Sequence, residues 1–238
     1  MKRISLPILS LFVLSAGATL LLAAPQALAA EEAIHERIEW SDVWVVNADS
    51  DERPRVLLVG DSIVRGYYAG VEAALGESVN CARFTTSKFL GHPDFQEELG
   101  LLLRRFSFDV IHVNNGLHGW GYTEEQYREA LAALIAFLKK ESPGSKVVWC
   151  MTTPVRDSAD LSTPDADKQP RVEARNAIAA AIMAEQGVAV NDLHALSAGN
   201  DRHFSKDGVH FSEEGRAAQS QEVAEAIRPL LPAPKGTP

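Results

Sequence analysis

The chain is poor in cysteine: Cys81 and Cys150 are the only two in 238 residues. So few, at such separation, exclude a disulfide-stapled scaffold and a zinc ribbon. Both fall in short apolar runs that read as strands, so they are expected as small core residues and not as a crosslink. Runs of lysine and arginine are missing too. The formal net charge is −9, with Asp and Glu outnumbering Lys and Arg 32 to 23. That balance argues against nucleic acid and anionic membranes as partners. No internal repeat is visible. His35, His92, His194 and His203 show no ligand spacing, so no metal and no cofactor is expected.

What is present begins with a leader. Lys2 and Arg3 precede an apolar run from Ile4 to Ala24, and Ala27-Leu28-Ala29 makes a small-x-small site. This is the layout of a secretory signal peptide covering residues 1–30 and cut near Ala29 or Ala30. No cysteine follows the run, so a lipoprotein anchor is not indicated. The expected product is secreted or periplasmic, without stable membrane insertion after cleavage. Loss of the two cations takes the charge from −9 to −11. Roughly 208 residues remain, enough for one domain with a sizeable core.

The mature chain alternates short apolar runs with longer helical patterns. Strands are expected at Arg55–Val59, Val79–Phe84, Val110–Val113, Lys146–Met151 and Val188–Leu193. Helices are expected at Val64–Leu75, Phe95–Phe106, Glu124–Lys140, Val172–Gln186 and Glu213–Leu231. The strands are near-continuously apolar, as in a parallel sheet covered on both faces. Five such repeats predict a three-layer α/β/α sandwich around a five-stranded parallel sheet, spanning residues 55–231. Residues 31–54 form an extension outside the alternation, in which "WSDVWVV" reads as an edge strand or a flap. Residues 232–238, rich in proline, read as a disordered tail.

In such a sheet ligands bind at the carboxyl ends of the strands. "LLVGDSIVRG", residues 57–66, places Asp61 and Ser62 where the first strand gives way to a helix. Either side chain suits a helix N-cap. A serine on that turn is also lifted out of the sheet into the positive field of the helix start. After the third strand "HVNNGLHGWG" sets Asn114, Asn115, His118 and Trp120 at the same edge. After the fifth, "KDGVH" sets Asp207 three residues before His210, a spacing at which a carboxylate can orient an imidazole that activates a hydroxyl. Arg156 and the polar loop 156–170 lie nearby, the loop being a lid candidate by length.

Together these blocks resemble the SGNH (GDSL-type) hydrolases. "GDSIV" is similar to the family's first block, "VNNGL" to its Gly-x-Asn-Asp block and "DGVH" to its Asp-x-x-His block. The G-x-S-x-G elbow of other α/β hydrolases is absent. The resemblance implies a flavodoxin-like SGNH fold and a serine esterase with Ser62 as nucleophile, His210 as base and Asp207 as its orienter. It also implies an oxyanion hole from the Ser62 N–H, the Asn114 amide and a backbone N–H near Thr85. Asn115, His118 and Trp120 are expected to line the substrate pocket; by residue type the last two suit a platform for sugar, and Trp120 equally suits a structural place tucked under the loop. His112 and Val113 replace the glycine that usually precedes the family's asparagine. The implied substrate is a small-molecule or glycan ester, with carbohydrate deacetylation first and lysophospholipid or short-chain esters second. Acyl transfer to a glycan is third, and a non-catalytic glycan binder is disfavoured by the complete set of three residues.

Overall fold

The computed structural model describes residues 33–232; the leader reading, and the tail reading apart from Pro232, lie outside the described residues. Six strands form one sheet: β1 (Ser41–Trp44), β2 (Arg55–Gly60), β3 (Asn80–Thr86), β4 (Val110–Val113), β5 (Lys146–Cys150) and β6 (Ala189–Asn191). Their order is β1-β3-β2-β4-β5-β6, parallel except that β1 runs antiparallel to β3. The sheet therefore has six strands and not five. The sixth comes from the extension, which resolves "WSDVWVV" as an edge strand.

Alternation along β2 shows why the middle of its sequence is apolar. Val56 and Leu58 pack with Val64, Tyr67 and Val71 of α1 (Ser62–Leu75) and Val223 of α6 (Glu213–Ile227). Leu57 and Val59 pack on the other face with Phe95 and Leu99 of α2 (Pro93–Arg105) and Leu131 and Leu134 of α3 (Glu124–Glu141). Each face needs its own apolar set, so the four residues from Val56 to Val59 are all apolar. Arg55 at the strand's start is buried with its guanidinium bonded to the carbonyls of Val46, Asn47 and Ser50. Cys81 and Cys150 are buried free thiols, on β3 and β5. Burial pushes the Cys81 thiol up to about 12, so it stays protonated and unreactive.

Differences from the expected elements have local causes. β3 runs on through Thr85 and Thr86, β-branched residues that suit a strand as well as the apolar ones before them. The fifth expected strand is cut short at Asn191, because Asp192 caps a short helix, α5 (Leu193–Ala198), by accepting from the Ala195 N–H. The last helix ends at Ile227 and not Leu231, since Arg228-Pro229 tightens the chain into a 3₁₀ turn. The remaining helix, α4 (Gln169–Gln186), closes on Gly187 in a left-handed conformation.

β2 lies between β3 and β4, so the chain reverses its winding there. That crevice is where ligands bind in open α/β sheets. The loops after β2 and β4 flank it.

Candidate active site

The β2–α1 turn answers which side chain caps the helix. Asp61 is the N-cap, accepting from the Ile63 N–H at 2.9 Å, and it is fully buried. Burial pushes its carboxyl up, against the pull of His118, the Ile63 N–H and His210. Ser62 is thereby the first helical residue, with no capping duty for its hydroxyl. Gly60 lets the turn close: a Cβ there would sit 2.6 Å from the Asn114 carbonyl and 2.3 Å from a Val64 methyl.

The hydroxyl of Ser62 lies 2.9 Å from His210 Nε2. His210 Nδ1 lies 2.6 Å from Asp207 Oδ2. The other carboxylate oxygen, Oδ1, accepts from Ser205 Oγ at 2.8 Å, the His210 N–H at 2.9 Å and the Val209 N–H at 3.0 Å. Partial burial alone would raise this carboxyl; the bonds from His210, Val209 and Ser205 outweigh it and hold the group well below its ordinary 3.8. Three residues separated by up to 148 positions thus form one hydrogen-bonded line. The line ends in an ionised carboxylate, so Nδ1 carries the proton and Nε2 is free to accept one from Ser62.

The Asp207 turn depends on Gly208, at φ 72°, where an added Cβ would come 2.1 Å from the Arg156 carbonyl. The Arg156 N–H donates back to the Gly208 carbonyl at 2.7 Å. Gly208→Ala is therefore expected to cost at least the roughly 1–2 kcal/mol of a left-handed non-glycine residue, and more from the backbone clash. A fall in Tm of about 5 °C or more, with reduced turnover, is the outcome to look for in a thermal melt run beside an esterase assay.

The β4 loop is buried and heavily tied. Asn114 donates its amide to the Cys150 and Met151 carbonyls at 3.2 and 3.3 Å. Asn115 donates to the Lys88 carbonyl at 3.1 Å, so it joins this loop to the one after β3. Arg175 of α4, with no exposed surface, donates to the carbonyls of Gly116, His118 and Gly119 at 2.8–3.0 Å. The guanidinium groups of Arg175 and Arg171 lie 4.7 and 5.4 Å from the centre of the half-buried Trp120 ring. Thr85 is not at the end of its strand either. It is paired with Asp42 on one side and Gly60 on the other, so its N–H points at a neighbouring strand and away from the cleft. His112 is buried on β4 with Nε2 3.1 Å from Asn191 Oδ1, and burial lowers it to about 4, leaving it a neutral core group.

Two of the residues gathered here belong to none of the sequence motifs. Glu36 reaches over from the extension and binds His118 Nδ1 at 2.9 Å and the Gly119 N–H at 3.0 Å, with no local signal to mark it. Arg175 does carry a signal: it stands on the stripe Val172, Ile178, Ala179, Ile182 that buries α4, where a charge demands partners. Arg156 serves structure, its guanidinium bonded to the Ala198 carbonyl and set 5.2 Å from the Phe204 ring. Loop 156–170 is laced to itself by Asp157, Asp160 and Asp165, and the Asp165 N–H ties it to the Val155 carbonyl.

Burial opposes charge on both Glu36 and His118, yet their mutual bond outweighs it. Glu36 is lowered from 4.5, helped by the Gly119 N–H, and His118 is raised from 6.5, helped by Asp61 against Arg175. A lowered acid stabilises fully above its ordinary value, and a raised base fully below its own. The contact is thus complete between pH 4.5 and 6.5 and fades outside that window. Protection of the Gly119 amide, its exchange rate relative to the intrinsic rate at each pH, should be greatest inside it, and Glu36→Gln should flatten that dependence.

Residues 58–218 match the family model described as the GDSL-like lipase/acylhydrolase family. No curated protein matches the chain by sequence. Among solved structures the chain is similar to a lipase/acylhydrolase from Enterococcus faecalis, at 21% identity and a TM-score of 0.58, covering 77% of this chain and 100% of that one. It is similar to an aryl esterase from M. smegmatis at 14% identity and TM-score 0.63, and to a carbohydrate acetylesterase from Sinorhizobium meliloti at 14% and 0.61. Each of these two covers 75% of this chain and 100% of its own.

Proposed function

The chain belongs to the GDSL-like lipase/acylhydrolase family and is an ester-hydrolysing enzyme, and from that premise we propose that Ser62, His210 and Asp207 are its catalytic triad, in an exported esterase that removes acetyl groups from carbohydrate. The observation that carries the triad is the unbroken line Ser62 Oγ–His210 Nε2–His210 Nδ1–Asp207. Ser62 attacks the ester carbonyl as its proton passes to His210, and Asp207 steadies the imidazolium that results. Collapse of the tetrahedral intermediate expels the alcohol, which takes that proton from His210. Water, deprotonated by the same imidazole, then releases the acid and restores Ser62.

The oxyanion forms against the Ser62 N–H, at the positive start of α1. Asn114 supplies the second donor. In this role one amide proton is shared between the Cys150 and Met151 carbonyls, 3.2 and 3.3 Å away, and the other turns to the oxyanion. Asn114→Ala should lower kcat by about 10²–10³ with little change in KM. Asn115→Ala removes the same amide from the same loop but only its tie to Lys88, and should act through stability. Steady-state kinetics on the pair decides between them; a larger kcat loss at Asn115 would shift the oxyanion role by one residue.

Support for a short acyl group on a polar alcohol comes from the openness and polarity of the rim. His210 and Asp207 are about half exposed, at 48% and 52%, and the Glu36–His118 pair ties the extension to the neighbouring β4 loop. Export is supported by the leader sequence. The test is a panel of p-nitrophenyl esters of increasing chain length beside acetylated glycans, with released acid quantified. Acetate released from glycan faster than longer acids from any ester supports the reading. A preference for long chains, or acyl transfer to added glycan in place of water, overturns the substrate assignment.

A further inference from the structure

The extension that carries Glu36 also carries His35 and Glu39, and the fold brings both against His92 at the start of α2. One donor atom from each of the three lies within 4.8 Å of the other two. His35 Nδ1 is 2.9 Å from Glu39 Oε1, and His92 Nε2 is 3.9 Å from that same oxygen. The two imidazole rings stand edge to face with centroids 5.3 Å apart. No spacing in the sequence points to this cluster, since His92 lies far from the other two along the chain.

His92 is what makes the cluster more than a surface ion pair. It is 4% exposed, and its Nε2 is buried without a hydrogen-bond partner while aimed at the Glu39 oxygen. A buried polar atom left unpaired costs roughly 1–3 kcal/mol, so its orientation calls for an explanation. We propose that His35, Glu39 and His92 bind a divalent first-row transition metal of the zinc class, which clamps the N-terminal strap to the start of α2.

The donor set suits that ion. Two imidazoles and one carboxylate leave a fourth position for water, and ligand distances of about 2.0–2.2 Å put the donors of a tetrahedral site about 3.3 Å apart. The observed 2.9 and 3.9 Å bracket that spacing, and His35, which is exposed, can close the remaining gap. Proton balance also works. His92 Nδ1 now accepts from the Asp94 N–H at 3.2 Å, which places the ring proton on Nε2. Coordination through Nε2 moves that proton to Nδ1, which gives up the bond from the Asp94 N–H and donates instead to the Asp94 carboxylate, 3.9 Å away. A carboxylate behind a ligating imidazole is the usual support for such a ligand.

Binding is read without turnover, so its failure would leave the esterase reading intact. Zinc titrated calorimetrically into the metal-stripped mature chain should bind one ion per chain and raise Tm. His35→Ala and Glu39→Gln should each weaken binding by about 100-fold, and Asp94→Asn by about 10-fold, the range that loss of supporting partners already spans. His92→Ala also deletes the cap of α2, so the test rests on His35 and Glu39. At one fixed pH, zinc should slow amide exchange at Gly119, whose N–H is held by Glu36 of the same strap, in wild type and not in His35→Ala. No saturable binding overturns the proposal. So does binding that His35→Ala and Glu39→Gln leave intact and His210→Ala removes, which would place the ion on the triad.

Discussion

Replacing Ser62 with alanine should lower kcat on p-nitrophenyl acetate by about 10⁶-fold, the scale seen when a serine nucleophile is deleted from a working triad, while leaving the melting transition nearly unchanged. The second half of that expectation comes from the cap. Asp61, not Ser62, satisfies the Ile63 N–H, and the only hydrogen bond described for the Ser62 hydroxyl is the one to His210. Alanine is also the better helix former at the first helical position. Stability and activity thus separate at one atom. A folded variant that still turns over would remove Ser62 from the chemistry and the triad with it.

Asp207→Asn should cost about 10⁴ in kcat, and the structure explains why an isosteric change is so damaging. The asparagine can place its carbonyl oxygen at either carboxylate position. Oδ1 is fixed by three donors, Ser205 Oγ and the N–H groups of Val209 and His210, so the oxygen goes there. The new NH₂ then faces His210 Nδ1 and donates to it. His210 is driven to the opposite tautomer, with its proton on Nε2 pointing at Ser62, and can no longer accept from the nucleophile. Turnover measured across pH should show the loss, with a melting temperature that falls little because the turn keeps its three bonds. If kcat drops less than tenfold, the Asp207–His210 contact is structural and the base works unaided.

Much of this is legible in the sequence where the cause is local. An apolar run stopping at "GDS" marks a strand end and a helix start, and covered strands are apolar on both faces with few exceptions, so the parallel layers follow from the pattern. Asp207 and His210 are legible because a turn of three residues brings them together. Illegible are the features made by distance. Glu36 meets His118 across 82 residues, and nothing near either names the other. The end of β3 is missed when apolar character alone marks a strand, whereas Thr85 and Thr86 extend it on branching alone. The sequence shows the indole of Trp120 but not the two arginines of α4 that lie beside it.

Arg175 sets terms for any attempt to retune substrate preference by transplanting loops. The segment from Gly116 to Gly119 gives three carbonyls to one guanidinium that belongs to another part of the chain. A graft of that loop into a relative would arrive without its anchor, and a foreign loop placed here would meet a buried cation with no carbonyls to receive it. The exchangeable module is therefore the β4 loop together with the first two turns of α4, which carry Arg171 and Arg175, and the two must be moved as a pair.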